Sequence, residues 1–266
     1  MFIGYRKYTA SKAFDPASLF MRGEKGFVFD PTRIETMFTD AGVTRVTADN
    51  DAVWQINDLS GNNYTGLQAA AGDRLLYNTT THAAGCIQTV SSDKLDVTST
   101  AAGVMRNKSY GTIIAFCNIA NPATNGYIVC FSSNATAGTS RLVLATTSTG
   151  KASLISRRAD ADTFQQLNST ASVNGADHIL IAECDWARKL TSISIDLNSP
   201  ETAIPSWAAG VSADTDSVGV SIGGDNIGAN TTVGDIGRAI VIDRQLTPVE
   251  RTRAIRWCGN VYGMSL

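Results

Sequence analysis

Glu183 and Asp185 stand two residues apart in the run Glu183-Cys184-Asp185. On a β-strand that spacing puts both side chains on one face. Neighbouring carboxylates are the equipment of glycoside hydrolysis, one acting as acid and the other as nucleophile or base. Asp225, Asn226, Asn230 and Asp235 gather ahead of the last apolar run and offer the oxygen ligands that calcium prefers. Their spacing matches no closed calcium loop, and Asn, Asp and Gly clusters are ordinary turn chemistry. The sequence therefore assigns no metal and no cofactor, with Asp225, Asn226 and Asp235 the nearest approach to a metal site. Trp186 and Trp207 have faces broad enough to stack on a sugar ring. Trp186 shares its strand face with Leu180, Ala182 and Cys184 and reads as core. Trp207 follows Ile204-Pro205 in a loop and is the better surface candidate. Trp207, Glu183 and Asp185 are thus the candidate ligand-binding residues.

Other chemistry is sparse. His82 and His178 are the only histidines, and neither stands at ligand spacing from another His or from a Cys pair, so both read as structural. Cys86, Cys117, Cys130, Cys184 and Cys258 are scattered, odd in number and without a C-x-x-C pair. They read as free buried thiols of a chain assembled in a reducing cytosol. No Ser-His-Asp order, G-x-S-x-G elbow, P-loop or G-x-G-x-x-G is present. No catalytic residue is assigned, and the chain is expected not to be an enzyme.

The elements that must hold these residues follow from composition and period. The chain has 266 residues, 43% hydrophobic and 17% charged, enough for a packed core and too apolar for disorder. Lys plus Arg number 22 against 24 Asp plus Glu, a net charge of −2 without a basic stripe, which argues against nucleic acid as a partner. No stretch approaches the roughly 20 apolar residues of a membrane helix, and Met1–Phe14 lacks the order of a signal peptide. From Ser109 onward, short alternating runs separated by polar turns predict an all-β sandwich. The strands fall at 109–118, 126–131, 141–147, 152–157, 178–186, 190–197, 218–222 and 237–243. Within 190–197, Ile193, Ile195 and Leu197 face inward while Ser192, Ser194 and Asp196 face water. A capping box, Thr247 with Glu250 and Pro248 between, opens a C-terminal helix. Its stripe is Ala254, Trp257, Cys258 and Val261, with Arg251, Arg253 and Arg256 off the stripe and Gly259 as stop.

Met1 to about Tyr77 shows little strand periodicity and many turn signals, with one helical turn near Ile34–Phe38. It reads as an arm whose aromatics need a surface to cover them, either this chain's own body or a neighbour's. The expected division is a docking arm over 1–25, a lead-in packing on the sandwich over 26–107, and the sandwich with its closing helix over 108–266. The interval 78–107 is the least defined.

Two blocks resemble known groups. The strands from His178 to Trp186 and Leu190 to Asp196, the run Val220–Gly224, and the closing Gly234–Glu250 with its Leu246-Thr247-Pro248-Val249-Glu250 ending resemble the laminin-G/concanavalin A-like jelly roll. The lead-in is similar to that of many tailed-bacteriophage structural proteins, through Phe14-Asp-Pro-Ala-Ser-Leu-Phe20, Phe29-Asp-Pro31, Met37-Phe-Thr-Asp40, Val46-Thr-Ala48 and Asn57-Asp-Leu-Ser-Gly-Asn62. Phe29 stands where that string usually has Trp or Tyr, Leu59 where it has Lys, and Asn63 where it has Gly.

These resemblances imply a concanavalin A-like jelly roll with an extended N-terminal arm and a short C-terminal helix. They imply a non-enzymatic virion structural protein made in the host cytoplasm, serving particle stabilisation as a capsid, collar or tail accessory, or host-surface adhesion as in a fibre. Phe2, Tyr5, Tyr8, Phe14 and Phe20 would fasten the arm to other virion proteins. A homo-oligomer, a trimer for preference, and a host surface glycan are the further partners implied. The alternative is a carbohydrate-binding or glycoside-hydrolase jelly roll with no virion role. Laminarinase-type hydrolases of this fold carry E-x-D-x-E or E-x-D-x-x-E, and the positions of the second Glu are here Ala187 and Arg188, which removes the partner acid.

Overall fold

The computed structural model describes residues 13–90, 92–98, 103–120, 125–132, 140–159, 161–212, 219–225 and 230–266. Phe2, Tyr5, Tyr8, Asn226 and Val218 lie outside the described residues. In chain order the strands are Gly26–Phe29 (β1), Met37–Phe38 (β2), Ala52–Val53 (β3), Gln55–Asn57 (β4), Thr65–Leu67 (β5), Leu75–Asn78 (β6), Cys86–Thr89 (β7), Leu95–Val97 (β8) and Tyr110–Ile119 (β9). They continue as Gly126–Ser132 (β10), Ser140–Thr146 (β11), Lys151–Ser156 (β12), Gln165–Ser172 (β13), Asp177–Asp185 (β14), Leu190–Ile195 (β15), Glu201–Ala203 (β16), Val220–Ile222 (β17) and Gly234–Ile242 (β18). One helix, Pro248–Asn260 (α1), follows.

The strands form two nine-stranded sheets with antiparallel ladders, the expected jelly-roll sandwich. The first runs β16-β15-β14-β9-β18-β7-β6-β3, with β1 also paired to β18, and the second runs β13-β12-β11-β10-β17-β8-β5-β4-β2. Between them lies the main core, in which Phe27, Phe29, Met37, Ile56, Leu95, Ile113, Phe131, Leu144, Leu180 and Trp186 interdigitate. A second core covers the outer face of the first sheet. There Ile114, Phe116, Ile179, Ile181, Ile240 and Ile242 meet Ala254, Ile255 and Cys258 of α1 together with Leu19 and Phe20. Strands buried on both faces lose the alternation that marks a half-exposed sheet, which is why β9, β14 and β18 read as continuous apolar runs.

Residues 26–107, expected to lie on the sandwich, supply eight of its strands, β1 to β8, shared between both sheets. The Phe27-Val28-Phe29 run is buried on both faces, and the other early strands are two to four residues long, too short to show a period. β1 lies so close to β18 that a Cβ at Gly26, whose φ is +141°, would collide with the Val241 carbonyl.

The capping box of α1 forms as expected: Thr247 accepts from the Glu250 amide, and Glu250 accepts from the Thr247 amide at 2.8 Å. The helix continues one residue past Gly259. Its buried stripe is Ala254, Ile255, Cys258 and Gly259, while Trp257 is half-buried and Val261 exposed. The helical turn expected at Ile34–Phe38 is a 3-10 turn over Ile34–Thr36 that passes straight into β2. All five cysteines are buried, and none is joined in a disulfide. No described helix is long and apolar enough to cross a membrane.

Candidate functional site

Glu183 projects from β14 onto the outer face of the first sheet, beside the start of α1. Tyr110 Oη donates to its Oε1 at 3.1 Å, Ser192 Oγ donates to its Oε2 at 3.2 Å, and Arg251 Nε stands 3.7 Å from Oε2. Arg251 also donates to Ser194. Ser192 and Ser194, expected to face water, are buried beneath that arginine. Asp185 accepts the Arg188 amide at 2.8 Å and pairs with its guanidinium, the arrangement of a turn after a strand. A groove of about 550 Å³ opens beside Glu183, with Gln245, Thr247, Arg251 and Thr252 among its walls, and among the described residues no second carboxylate lines it. Glu183 and Asp185 therefore share a strand face, as the spacing predicts, without forming an acid pair across a cleft. Burial raises the Tyr110 phenol far above its usual range, with Glu183 adding to the effect.

Trp207 does not reach the surface. It is 4% exposed and packs in the main core with Trp186, because the loop after β16 folds back and Gly210 donates to the Trp186 carbonyl at 3.0 Å. The surface role expected for Trp207 is corrected to a core role. Of the arm aromatics, Phe20 is buried and Phe14 half-buried, both in this chain's own second core. A 3-10 turn over Pro16–Phe20, capped by Asp15, folds them onto α1. Asp225 turns its carboxylate to the Asn230 amide at 2.8 Å, while Asp235, on β18, points to Asn78 and His82. The oxygen residues expected to gather at the rim are thus directed to different neighbours. His178 holds Asp196 at 3.0 Å, a structural pairing.

The best-equipped surface was not singled out from the sequence. Arg253, Arg256, Trp257 and Asn260 recur at i, i+3, i+4 and i+7 of α1 and so share one side of the helix. With Ala13, Phe14 and Arg238 they line a groove of about 440 Å³. Arg238, from the bulge in β18, places its guanidinium 4.2 Å over the Trp257 ring and donates to the Trp257 carbonyl at 2.7 Å. Its charge is neutralised by Asp30 at 3.0 Å. Arg253 and Arg256 are exposed, and no ion pair joins either to a described residue. The groove thus combines two open guanidinium forks, one amide and one indole held in place by a third arginine. Guanidinium forks match carboxylates in a two-pronged geometry, and a few placed polar groups beside an aromatic wall are the usual make-up of a small-ligand site. The signal available in the sequence is the Arg253-x-x-Arg256-Trp257 spacing, which the pattern alone divides between the apolar stripe, with Trp257, and the arginines off it.

No protein-family model and no curated protein matches the chain. Solved structures do match. The CBM40 domain of the Ruminococcus gnavus IT-sialidase, bound to α2,3-sialyllactose, aligns with a TM-score of 0.53 and 19% identity over 64% of this chain and 95% of that one. The botulinum neurotoxin serotype D ligand-binding domain, in complex with N-acetylneuraminic acid, aligns with a TM-score of 0.58 and 11% identity over 91% of this chain and 53% of that one. The leech intramolecular trans-sialidase aligns with a TM-score of 0.53 and 20% identity over 63% of this chain and 26% of that one. The likeness is one of fold: a lectin-like jelly roll.

Proposed function

We propose that this chain is a non-catalytic lectin-like domain that binds an acidic glycan in the α1 groove and is carried on a bacteriophage particle. The observation that carries the glycan reading is the Arg253, Arg256, Trp257 and Asn260 stripe, whose two exposed guanidinium groups have no ion-pair partner among the described residues. A sugar acid supplies what that stripe lacks, a carboxylate for the arginines and a ring face with hydroxyls for the indole and the amide. Fold neighbours complexed with α2,3-sialyllactose and N-acetylneuraminic acid support the choice of an acidic sugar. The non-catalytic reading is supported by Glu183, whose two oxygens already take hydrogen bonds from Tyr110 and Ser192.

The particle setting rests on the lead-in string from Phe14 to Asn62 and its similarity to phage structural proteins. Repetition on a particle would turn weak single-site binding into useful avidity, whatever the order of the oligomer. Titration of the full chain with 3′-sialyllactose and with lactose, followed by NMR chemical shifts, tests the glycan reading. The acidic sugar should shift the Trp257 indole resonance and lactose should not. Equal shifts, or none, overturn it. Immunogold labelling of intact particles tests the setting, and label confined to the soluble fraction overturns that half alone.

A further inference from the structure

His82, Cys86 and Asp235 come from the loop after β6, the start of β7 and the start of β18, and their ligand atoms all lie within 4.8 Å of one another. Asp177, at the start of β14, brings Oδ1 to 3.4 Å from His82 Nε2, and Asp235 Oδ2 stands 3.9 Å from the same nitrogen. The His82 side chain is only 9% exposed, and its Nε2 is buried without a hydrogen-bond partner among the described residues. An imidazole nitrogen buried in this way, aimed at a thiol and two carboxylates, is costly unless something satisfies it. We infer that this cluster is a zinc site, with His82 Nε2, Cys86 Sγ, Asp235 and Asp177 as the four ligands.

The donor set and the dimensions both fit. Nitrogen, sulfur and carboxylate oxygen are the ligands of Zn²⁺, and bond lengths of about 2.0–2.3 Å put tetrahedral ligands roughly 3.3–3.7 Å apart. The His82–Asp177 separation of 3.4 Å is already at that value, and the ligand atoms of His82, Cys86 and Asp235, all within 4.8 Å of one another, need a small inward movement to reach it. Ligand carboxylates are normally aimed by a second hydrogen bond, and both of these are: Asn78 Nδ2 donates to Asp235 Oδ1 at 2.9 Å and Asn118 Nδ2 to Asp177 Oδ1 at 2.7 Å. The local turn is built to face the histidine inward. The Gly85 amide donates to the His82 carbonyl at 2.8 Å, and Gly85 has a φ of +89° where a Cβ would meet the Tyr77 ring. Tyr262 completes the lid by donating to the Gly85 carbonyl at 3.2 Å. The His82 ring lies edge-on to Phe116 and Tyr262, at 5.2 Å and 5.5 Å between centroids, which fixes its orientation. On binding, the Cys86 thiol gives its proton to buffer and the thiolate, with the neutral imidazole and the carboxylates, takes the metal. The ion would tie together parts of the chain that begin at residues 82, 177 and 235.

The test is Co²⁺ titration of the full chain after dialysis against chelator, with Zn²⁺ as competitor. One Co²⁺ per chain is expected, with a thiolate-to-cobalt charge-transfer band and strong tetrahedral d–d absorption, all displaced by Zn²⁺. Cys86→Ser should abolish the charge-transfer band, and Asn118→Ala, which removes the hydrogen bond that aims Asp177, should weaken binding about 10- to 100-fold. Absence of binding, or an octahedral spectrum indifferent to Cys86→Ser, overturns the site. If Cys86→Ser does not fold, X-ray absorption of the unsubstituted zinc-loaded chain decides. One sulfur at about 2.3 Å supports the site, and a shell with no sulfur overturns it.

Discussion

Arg244 grips both oxygens of Glu250: its Nη1 and Nη2 each stand 2.9 Å from one carboxylate oxygen. The same guanidinium donates through Nε to Glu24 at 3.1 Å and through Nη2 to the Leu19 carbonyl at 3.2 Å. One side chain thereby joins the exit of β18 and the adjacent cap of α1 to the 19–24 segment, some two hundred residues earlier. The Arg244 hydrogen bonds, with those from Thr247, hold Glu250 at about 2, well below the usual carboxylate range.

A stability loss on the acid side follows from that pair. Because the folded pKa lies below the unfolded one, the contribution is complete above about pH 4.5 and disappears as the pH falls towards 2. For a partly exposed pair it amounts to about 1 kcal/mol after solvent screening. Urea midpoints measured from pH 6 down to pH 2 should fall more steeply for the unsubstituted chain than for Glu250→Gln across that window. Parallel slopes would show that the pair contributes nothing.

Burial of the two tryptophans makes a second prediction. Trp186 is fully buried and its Nε1 donates to the Arg157 carbonyl at 3.2 Å. Trp186→Ala should cost about 3–5 kcal/mol, the usual range for removing a large core aromatic. Trp207→Ala should fall in the same range. Denaturant unfolding measures both, and a loss below about 1 kcal/mol at Trp207 would restore it to the surface.

How far the sequence carries is shown by particular residues. Ile193 and Ile195 alternate with serines, and the structure packs both in the main core. Thr247, Pro248 and Glu250 are adjacent, so their cap is written locally and forms as read. Trp207 was misread because only the fold-back of its loop onto Trp186, a tertiary contact, decides its burial. Strands such as Met37–Phe38 and Ala52–Val53 were missed because two residues carry no period. The α1 groove draws one wall from Phe14, far from the helix in sequence, and from Arg238 on the preceding strand, and no spacing rule joins them. His82, Cys86 and Asp235 meet for the same reason, through strand pairing and one tight turn.

The N-terminal segment gives a third prediction. Leu19 and Phe20 are buried against the first sheet and α1, so a chain starting at residue 26 should be less stable than one starting at residue 13. Two large apolar side chains at about 1.5–3 kcal/mol each set the difference near 3–6 kcal/mol. Thermal melts of the two truncations test this directly. Equal midpoints would mean that residues 13–25 contribute only as a docking arm for a neighbour.

The α1 groove gives the last and sharpest prediction, because it separates binding from stability. Arg253 and Arg256 are exposed, so Arg253→Ala and Arg256→Ala should each change unfolding stability by no more than about 0.5 kcal/mol. A hydrogen bond to a charged partner is worth about 1.5–3 kcal/mol, so either substitution should weaken binding of an acidic sugar roughly 10- to 100-fold, and the double variant should abolish it. Arg238 behaves differently. It supports the Trp257 ring while paired with Asp30, so Arg238→Ala should lower both stability and binding by releasing the indole and leaving a buried carboxylate unpaired. Salt supplies an independent check: exposed charges are screened over about 8 Å at physiological ionic strength and about 3 Å at 1 M. Affinity for the acidic sugar should therefore fall as sodium chloride rises, with a slope that flattens in the double variant. An affinity indifferent to both salt and the two arginines would move the glycan site away from α1.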